Sequence, residues 1–223
     1  MVRRSSFFAA LVTLSLIGCS READRQIRTA DALIRQGFTN VNAGRYSNAI
    51  GDFTRAIQVK SDAFYAYAGR ARAEYELREL HASLADMDQI IEFAPKNPDA
   101  LLFRGQIKSD MLDFPGAILD YTTALRLNPD LALAYHNRGC VKSLMDDYAG
   151  ALVDYDKAIM LNRINDMFFW NRGTAKAKLG DYRGAISDFK SAVRLNPTNE
   201  EARAELQLAE QALSFQTNAP GGK

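Results

Sequence analysis

The chain has 223 residues, of which 47% are hydrophobic and 25% are charged, a balance that excludes wholesale disorder. Its formal net charge is +1 at pH 7, so no basic excess favours nucleic acid as a partner. Cys19 and Cys140 are its two cysteines, too few for a fold stabilised by a disulfide framework.

The first eighteen residues have the composition of a secretory signal. Arg3 and Arg4 precede the apolar run FFAALVTLSLI, which is followed by the small residues GCS. A basic start, a short apolar run and a small-residue end are typical of a cleaved signal. The run is about half of the ~20 residues that a membrane-spanning helix needs, which makes a spanning anchor the weaker interpretation. We therefore predict a signal peptide over residues 1–18.

The segment Leu16-Ile17-Gly18-Cys19 resembles the lipobox of bacterial lipoproteins. The resemblance implies that Cys19 is lipidated and begins the mature chain, with residues 19–29 as lipidated N-terminus and polar tether. Two or more acyl chains, at about 0.8 kcal/mol per buried CH₂, anchor a protein stably to a membrane. Ser20, where some lipoproteins carry an Asp that retains them in the inner membrane, favours the outer membrane. The alternative is an ordinary cleaved signal with an incidental cysteine.

From residue 30 to residue 199 the chain repeats itself every 34 residues without a gap. Positions within each repeat are numbered here from 1 to 34. The five repeats span 30–63, 64–97, 98–131, 132–165 and 166–199, with small residues at position 8 (Gly37, Ala71, Gly105, Gly139, Gly173) and bulky ones at position 24 (Phe53, Met87, Tyr121, Tyr155, Phe189). Apolar or small residues at positions 17, 20, 21, 24, 27 and 28 form one helical stripe. A first helix precedes this second helix, with a turn near positions 15–16, so each repeat is predicted to be a helical hairpin.

Two charged positions recur with the same period. Position 7 is Arg in four repeats (Arg70, Arg104, Arg138, Arg172) and position 23 is Asp in all five (Asp52, Asp86, Asp120, Asp154, Asp188). In a hairpin that turns near position 15, these two positions lie at the same height. We predict a structural ladder of Arg–Asp ion pairs across each hairpin or onto its neighbour, rather than a charged binding strip. Exposed pairs contribute only about 0.2–1 kcal/mol each, so the ladder is expected to set orientation more than stability.

These recurring residues resemble the tetratricopeptide repeat, a 34-residue helix-turn-helix. The resemblance implies an all-α, right-handed α-solenoid of five repeats. The sequence departs from the pattern at Ser61 and Arg163, where Pro is expected, and most of all in the second repeat, which has Ser83, Met87 and Ile90. Residues 200–213 predict an amphipathic helix that caps the stack, and residues 214–223 predict a flexible tail.

In this family, the first helices of successive repeats line a concave groove through positions 2, 5, 9, 12 and 13. The resemblance therefore implies a peptide-binding groove, whose candidate residues are Ile34, Phe38, Tyr65, Arg72, Tyr75, Leu102, Gln106, His136, Met167 and Trp170. The alternative is that several of these side chains, above all those at position 5, pack against the next repeat. The family's carboxylate clamp of Lys and Asn residues is not apparent, so a receptor for chaperone tails is not expected.

The sequence predicts no enzyme, cofactor or metal. Its only histidines are His81 and His136, and neither a Ser-His-Asp spacing, a phosphate-cradling Gly loop nor a metal-binding Cys pair occurs. His136 and Cys140 share a helix face, but two ligands do not make a structural zinc site; Cys140 is expected to be a small apolar group. We predict a lipid-anchored, periplasm-facing adaptor or assembly factor that binds a protein or peptide. The alternatives are an envelope enzyme with a helical body and a structural scaffold that uses its convex face.

Overall fold

A computed structural model describes residues 5–218, and within this range the side chains of residues 24–217. Its regular elements are helices, with the bounds α1 Ser5–Asn42, α2 Tyr46–Val59, α3 Phe64–Glu76, α4 Leu80–Phe93, α5 Pro98–Asp110, α6 Phe114–Leu127, α7 Ala132–Leu144, α8 Tyr148–Leu161, α9 Asp166–Lys178, α10 Tyr182–Leu195 and α11 Glu200–Asn218. Three parts of the predicted organisation lie outside the described residues: residues 1–4 of the signal peptide, the Cys19 side chain and residues 219–223 of the tail. Among the residues that the structure describes, no helix is both long and apolar enough for a membrane span.

The chain divides into two compact units, residues 1–95 and residues 96–223. In the first unit, α1 pairs with α2 and α3 pairs with α4, and the first helices α1 and α3 also touch. In the second unit, the pairs are α5–α6, α7–α8 and α9–α10, followed by α11, which packs on α10. The predicted all-α fold of five helical hairpins and a C-terminal helix is confirmed.

The turn inside each hairpin has the same backbone geometry. The residue at position 15 is in the left-handed region in all five hairpins, with φ of 69° at Gly44, 63° at Arg78 and Leu112, 61° at Asp146 and 81° at Gly180. Glycine adopts this conformation without a steric cost, whereas other residues adopt it less readily. The turn therefore forms at one fixed point of the repeat, whichever residue occupies it.

Aspartate side chains begin the second helix in the last three hairpins. An Oδ1 atom accepts a hydrogen bond from the backbone N–H three residues later in Asp113–Gly116, Asp147–Gly150 and Asp181–Gly184, at 3.0, 2.9 and 2.9 Å. Such N-caps satisfy a backbone donor that the helix itself leaves free. A Cβ atom at any of these glycines would lie 2.1 Å from an Asp Oδ2 atom, so a larger residue there would make the capping carboxylate shift.

The core of each hairpin forms where a small first-helix residue meets a bulky second-helix residue. A Cβ atom on Gly105, Gly139 or Gly173 would come within 2.7–2.8 Å of the rings of Tyr121, Tyr155 and Phe189, respectively. The second hairpin has Ala71 and Met87 at these positions, and both are buried. Its Ser83 is also buried and donates a hydrogen bond to the carbonyl of Ala71 at 2.7 Å. The buried hydroxyl of this divergent repeat therefore has the hydrogen-bond partner that a buried polar group needs.

Candidate binding surface

Each of the four arginines at position 7 donates two hydrogen bonds to the aspartate sixteen residues later. The pairs, in chain order, are Arg70–Asp86, Arg104–Asp120, Arg138–Asp154 and Arg172–Asp188. In that order, the Nε–Oδ2 distances are 2.7, 2.8, 3.0 and 2.9 Å, and the Nη2–Oδ1 distances are 2.7, 2.6, 2.6 and 2.6 Å. This parallel fork is the strong, geometrically specific form of an Arg–carboxylate contact. Each of these pairs lies within one hairpin.

A lysine that was not predicted from the sequence completes the network in the last three hairpins. The Nζ atoms of Lys108, Lys142 and Lys176, at position 11, lie 2.8, 2.7 and 2.8 Å from Oδ2 of the same aspartates. The sequence indicates this contact through a lysine that recurs every 34 residues in the last three repeats, four residues after the arginine. The expectation of exposed pairs was wrong, because the aspartates are only 1–3% exposed. A buried carboxylate that is held by two cations matters for stability, since losing its partners leaves a desolvated charge.

The arginines also reach back to the preceding hairpin. Nη1 of Arg70 donates to Thr54, and that of Arg138 donates to Thr122, at 3.1 and 3.0 Å. In the last hairpin, Nη1 of Arg172 lies 2.6 Å from Oδ1 of Asp156 on α8. Hydrogen bonding to Asp188 raises the pKa of Arg172. The ladder therefore joins neighbouring hairpins as well as the two helices of each one.

The second hairpin has a carboxylate where the later hairpins have lysine. Glu74 at position 11 is 6% exposed, and its Oε2 atom has no hydrogen-bond partner among the described residues. The nearest cationic atom is Nε of Arg70, 3.8 Å from Oε1, but this arginine already donates two hydrogen bonds to Asp86. Burial, and then the negative charge of Asp86, raise the pKa of Glu74 to about 7. In the second hairpin, two carboxylates thus lie close together, whereas in the last three hairpins two cations share one carboxylate.

The predicted groove residues of the first unit lie at different depths. Tyr65 on α3 is 68% exposed, and Arg72 on the same helix is also exposed. Phe38 is partly exposed and rests edge-on against Phe53, with ring centroids 5.2 Å apart. Ile34 and Tyr75 are half-buried. Three of these five side chains, Phe38, Tyr65 and Arg72, are thus exposed, with Phe38 the least so at 37%.

In the second unit, the surface candidates concentrate on α9. Met167 is 48% exposed, whereas Leu102 and Gln106 on α5 are half-buried. Trp170 is half-buried and packs against Ala185, Phe189 and Ala209. The Trp170 side chain therefore packs against the core while part of it stays exposed at the surface.

His136 does not present its ring at the surface, which corrects the prediction for this residue. It is 6% exposed and stacks on Phe168 of the next first helix, with ring centroids 4.7 Å apart. Its Nε2 atom lies 2.8 Å from Nδ2 of Asn171 and 3.6 Å from Sγ of Cys140. Burial lowers the pKa of His136 and raises that of Cys140, so both groups are held neutral. A neutral thiol is a poor nucleophile and a poor metal ligand.

Two cavities lie between α9 and α11. The larger, of about 480 Å³, is lined by Asp166, Met167, Trp170, Asn196, Thr198, Asn199, Glu200 and Glu201. The smaller, of about 320 Å³, is lined by Thr174, Ala177, Lys178, Tyr182, Glu205, Leu208, Ala209 and Ala212. Within the described part of the chain, no group of three His, Cys, Asp or Glu side chains could hold a metal ion.

Stacked hairpins with small-residue contacts and a capped C-terminal end define an α-helical repeat protein. The Tetratricopeptide repeat family matches residues 39–98 and also residues 132–165 and 168–199, which together exceed half of the chain. The chain therefore belongs to the tetratricopeptide repeat family.

Similar proteins include human Tetratricopeptide repeat protein 6, which is 30% identical over 106 residues, 48% of this chain and 20% of that protein. The chain thus spans a fifth or less of the length of the curated relatives it matches. The solved structure of YrrB, a TPR protein with an unusual peptide-binding site, has a TM-score of 0.66 at 15% identity and covers 84% of this chain and 97% of YrrB; this likeness shows the fold. The first TPR of Spaghetti (RPAP3), bound to the HSP90 peptide SRMEEVD, has a TM-score of 0.52 at 27% identity and covers 52% of this chain and 93% of that one.

Proposed function

We propose that this chain is a non-catalytic adaptor whose first helices bind a peptide segment of a partner protein. The observation that carries the proposal is the exposure of large apolar side chains along these helices. Tyr65, Leu133, Leu144 and Met167 are 68, 52, 64 and 48% exposed. Tyr65 lies in the first unit and the other three residues lie in the second. Exposed patches of large apolar side chains mark interaction surfaces. The peptide-bound RPAP3 domain, at 27% identity, supports a peptide as the ligand.

A second candidate is a scaffold that uses the outer face of the second helices. Leu119 on α6 and Val153 on α8 occupy the same repeat position, 34 residues apart, and both are 64% exposed. Because these helices follow one another in the second unit, the two side chains offer an apolar strip on the other side of the hairpins. The experiment below separates the two faces.

We expect Tyr65→Ala and Met167→Ala, each in the full chain, to release the partner recovered by crosslinking and affinity capture from native membranes. Each substitution removes an exposed apolar anchor, and truncating an anchor of this kind weakens binding by about 1–3 kcal/mol, roughly tenfold or more. The matched controls are Leu119→Ala and Val153→Ala, which remove apolar side chains of comparable exposure from the second helices. Loss of the partner in the controls alone would favour the outer face, and loss in none of the four variants would reject an apolar docking surface.

We also propose that the adaptor is anchored to a bacterial membrane through lipidated Cys19 and faces the periplasm, with the outer membrane favoured by Ser20. The lipobox-like segment before Cys19 supports this setting. Pilus or secretion-channel assembly, outer-membrane barrel assembly and the recruitment of cell-wall enzymes are the processes that such a protein would serve.

Cys19→Ala is expected to move the protein from the membrane pellet to the soluble fraction, because the substitution removes the thiol that would carry the acyl chains. Fractionation of cells that express the full chain, followed by immunoblotting, measures the shift. Cys140→Ala serves as the control, since that thiol lies within the helical hairpins. Unchanged membrane association of Cys19→Ala would contradict lipid anchoring.

A further inference from the structure

The 480 Å³ cavity between the N-terminal ends of α9 and α11 combines an aromatic side chain with acidic ones. Trp170 and Met167 provide its apolar lining, and Asp166, Glu200 and Glu201 provide its carboxylates. Its volume falls within the roughly 300–1,000 Å³ of typical ligand pockets. Six of its eight lining residues are polar or charged, so the cavity suits a ligand that carries charge. The cavity lies beside the exposed Met167 of the proposed peptide surface.

The carboxylates of the cavity have no cationic partner in the described structure. Neither Lys nor Arg is among the lining residues. The guanidinium of Arg203, on the next turn of α11, bonds to the carbonyl of Pro197. Asp166 accepts hydrogen bonds through Oδ2 from the side-chain amides of Asn196 and Asn199, at 3.1 and 3.2 Å. These neutral contacts fix the orientation of the carboxylate without cancelling its charge.

The cavity is electrostatically negative even after the helix dipoles are counted. The N-terminal ends of α9 and α11 each contribute about half a positive charge, and Arg203 at the carbonyl of Pro197 contributes one more, whereas the three carboxylates contribute three negative charges. Asp166 on α9 and Glu200 and Glu201 on α11 lie in first turns, where carboxylates also stabilise the helix. The excess charge attracts a cation, and the indole of Trp170 is the side chain with the strongest cation–π attraction.

We propose that this cavity binds the side chain of a lysine or arginine in the partner's peptide segment. The alkyl stem lies against Trp170 and Met167, and the charged end reaches Glu200 and Glu201. Long basic side chains divide in this way between apolar surface and polar surroundings. This inference rests on the proposed function, because the segment has to be held by the first helices for its basic residue to reach the cavity.

The test uses a phage-displayed library of random dodecapeptides, selected against the full chain. Selected peptides are expected to share a Lys or Arg at one position and to change the fluorescence of Trp170, which is the chain's only tryptophan and reports from the cavity itself. Replacing that Lys or Arg by norleucine is expected to weaken binding about tenfold. The weakening should shrink at high ionic strength, because salt screens the attraction between exposed charges.

The matched variants are Glu200→Gln with Glu201→Gln, and as control Glu92→Gln with Glu210→Gln, which removes two exposed carboxylates elsewhere. We expect about tenfold weaker binding of the basic peptides in the first variant and unchanged binding in the control. Selected peptides that share no basic residue and bind both variants equally would overturn the cation pocket while leaving the proposed function intact. If selection recovers no peptide that Tyr65→Ala or Met167→Ala releases, both proposals fail. A small cation such as spermidine that alters Trp170 fluorescence and competes with no peptide would also overturn a peptide side chain as the occupant.

Discussion

Asp154→Ala is expected to lower the free energy of unfolding by about 3–5 kcal/mol, which is the usual cost of removing one partner of a buried ion pair. The carboxylate is 1% exposed, and it accepts from Arg138 at 3.0 and 2.6 Å and lies 2.7 Å from Nζ of Lys142. Its loss leaves Arg138 and Lys142, which lie four residues apart on α7, without the carboxylate on α8 that both contact. Urea denaturation of the full chain at pH 7, followed by circular dichroism, measures the change.

Asp156→Ala is the matched control for this prediction. Asp156 lies on the same helix, carries the same charge and pairs with Arg172 at 2.6 Å, but its side chain is 63% exposed. An exposed ion pair contributes about 0.2–1 kcal/mol, so the control is expected to lose little stability. Equal losses in the two variants would show that burial of Asp154 does not determine the strength of its contacts.

The second prediction concerns the pH dependence that Glu74 gives to the fold. Its pKa is raised from 4.5 to about 7 in the folded chain, so the folded state holds the proton more tightly than the unfolded state. The contribution of this group to stability is therefore complete below about pH 4.5 and is lost as the pH rises through about 7. Each pKa unit corresponds to about 1.4 kcal/mol, which gives an upper limit of roughly 3–4 kcal/mol for the loss.

Glu74→Gln is expected to remove this loss, because the amide stays neutral beside Asp86 at every pH. Relative to the original chain, the variant should gain stability progressively between pH 5 and pH 8, as measured by thermal or urea denaturation at each pH. Glu74→Lys, which restores the lysine of the later hairpins, should stabilise the chain at pH 8 as well. Glu76→Gln, at an exposed position of the same helix, is the control. A stability difference between Glu74→Gln and the original chain that does not vary with pH would contradict the assignment.

The helical hairpins could be predicted because their information is local and repeated. A small residue at position 8 and a bulky one at position 24 recur at a fixed spacing, and Gly139 and Tyr155 meet in the structure as that spacing requires. The partners in the Arg–Asp ladder follow from the same reasoning, since a hairpin brings residues sixteen apart to the same height. Burial of the aspartates was not predictable in this way, because it depends on packing around both helices.

The surface could be predicted less well, because exposure at one position depends on the neighbouring hairpin. His136 occupies a position that lines the groove in the family, but here Phe168 of the next first helix covers its ring. Glu74 was likewise visible in the sequence as an exception to a lysine pattern. Its significance appears only when Asp86 and Arg70 are seen beside it, since the distance between like charges is a property of the folded chain.

The backward reach of the arginines has a consequence for how the second unit loses its structure. If the final hairpin frayed alone, Arg172 would leave Asp156 of the preceding hairpin, and Arg138 similarly connects to Thr122 one hairpin earlier. Helical-repeat proteins are usually described by separate repeat energies and a coupling between nearest neighbours. Polar contacts that cross each boundary enlarge the coupling, so the consecutive repeats of this unit should melt as a single cooperative block rather than peeling away from one end.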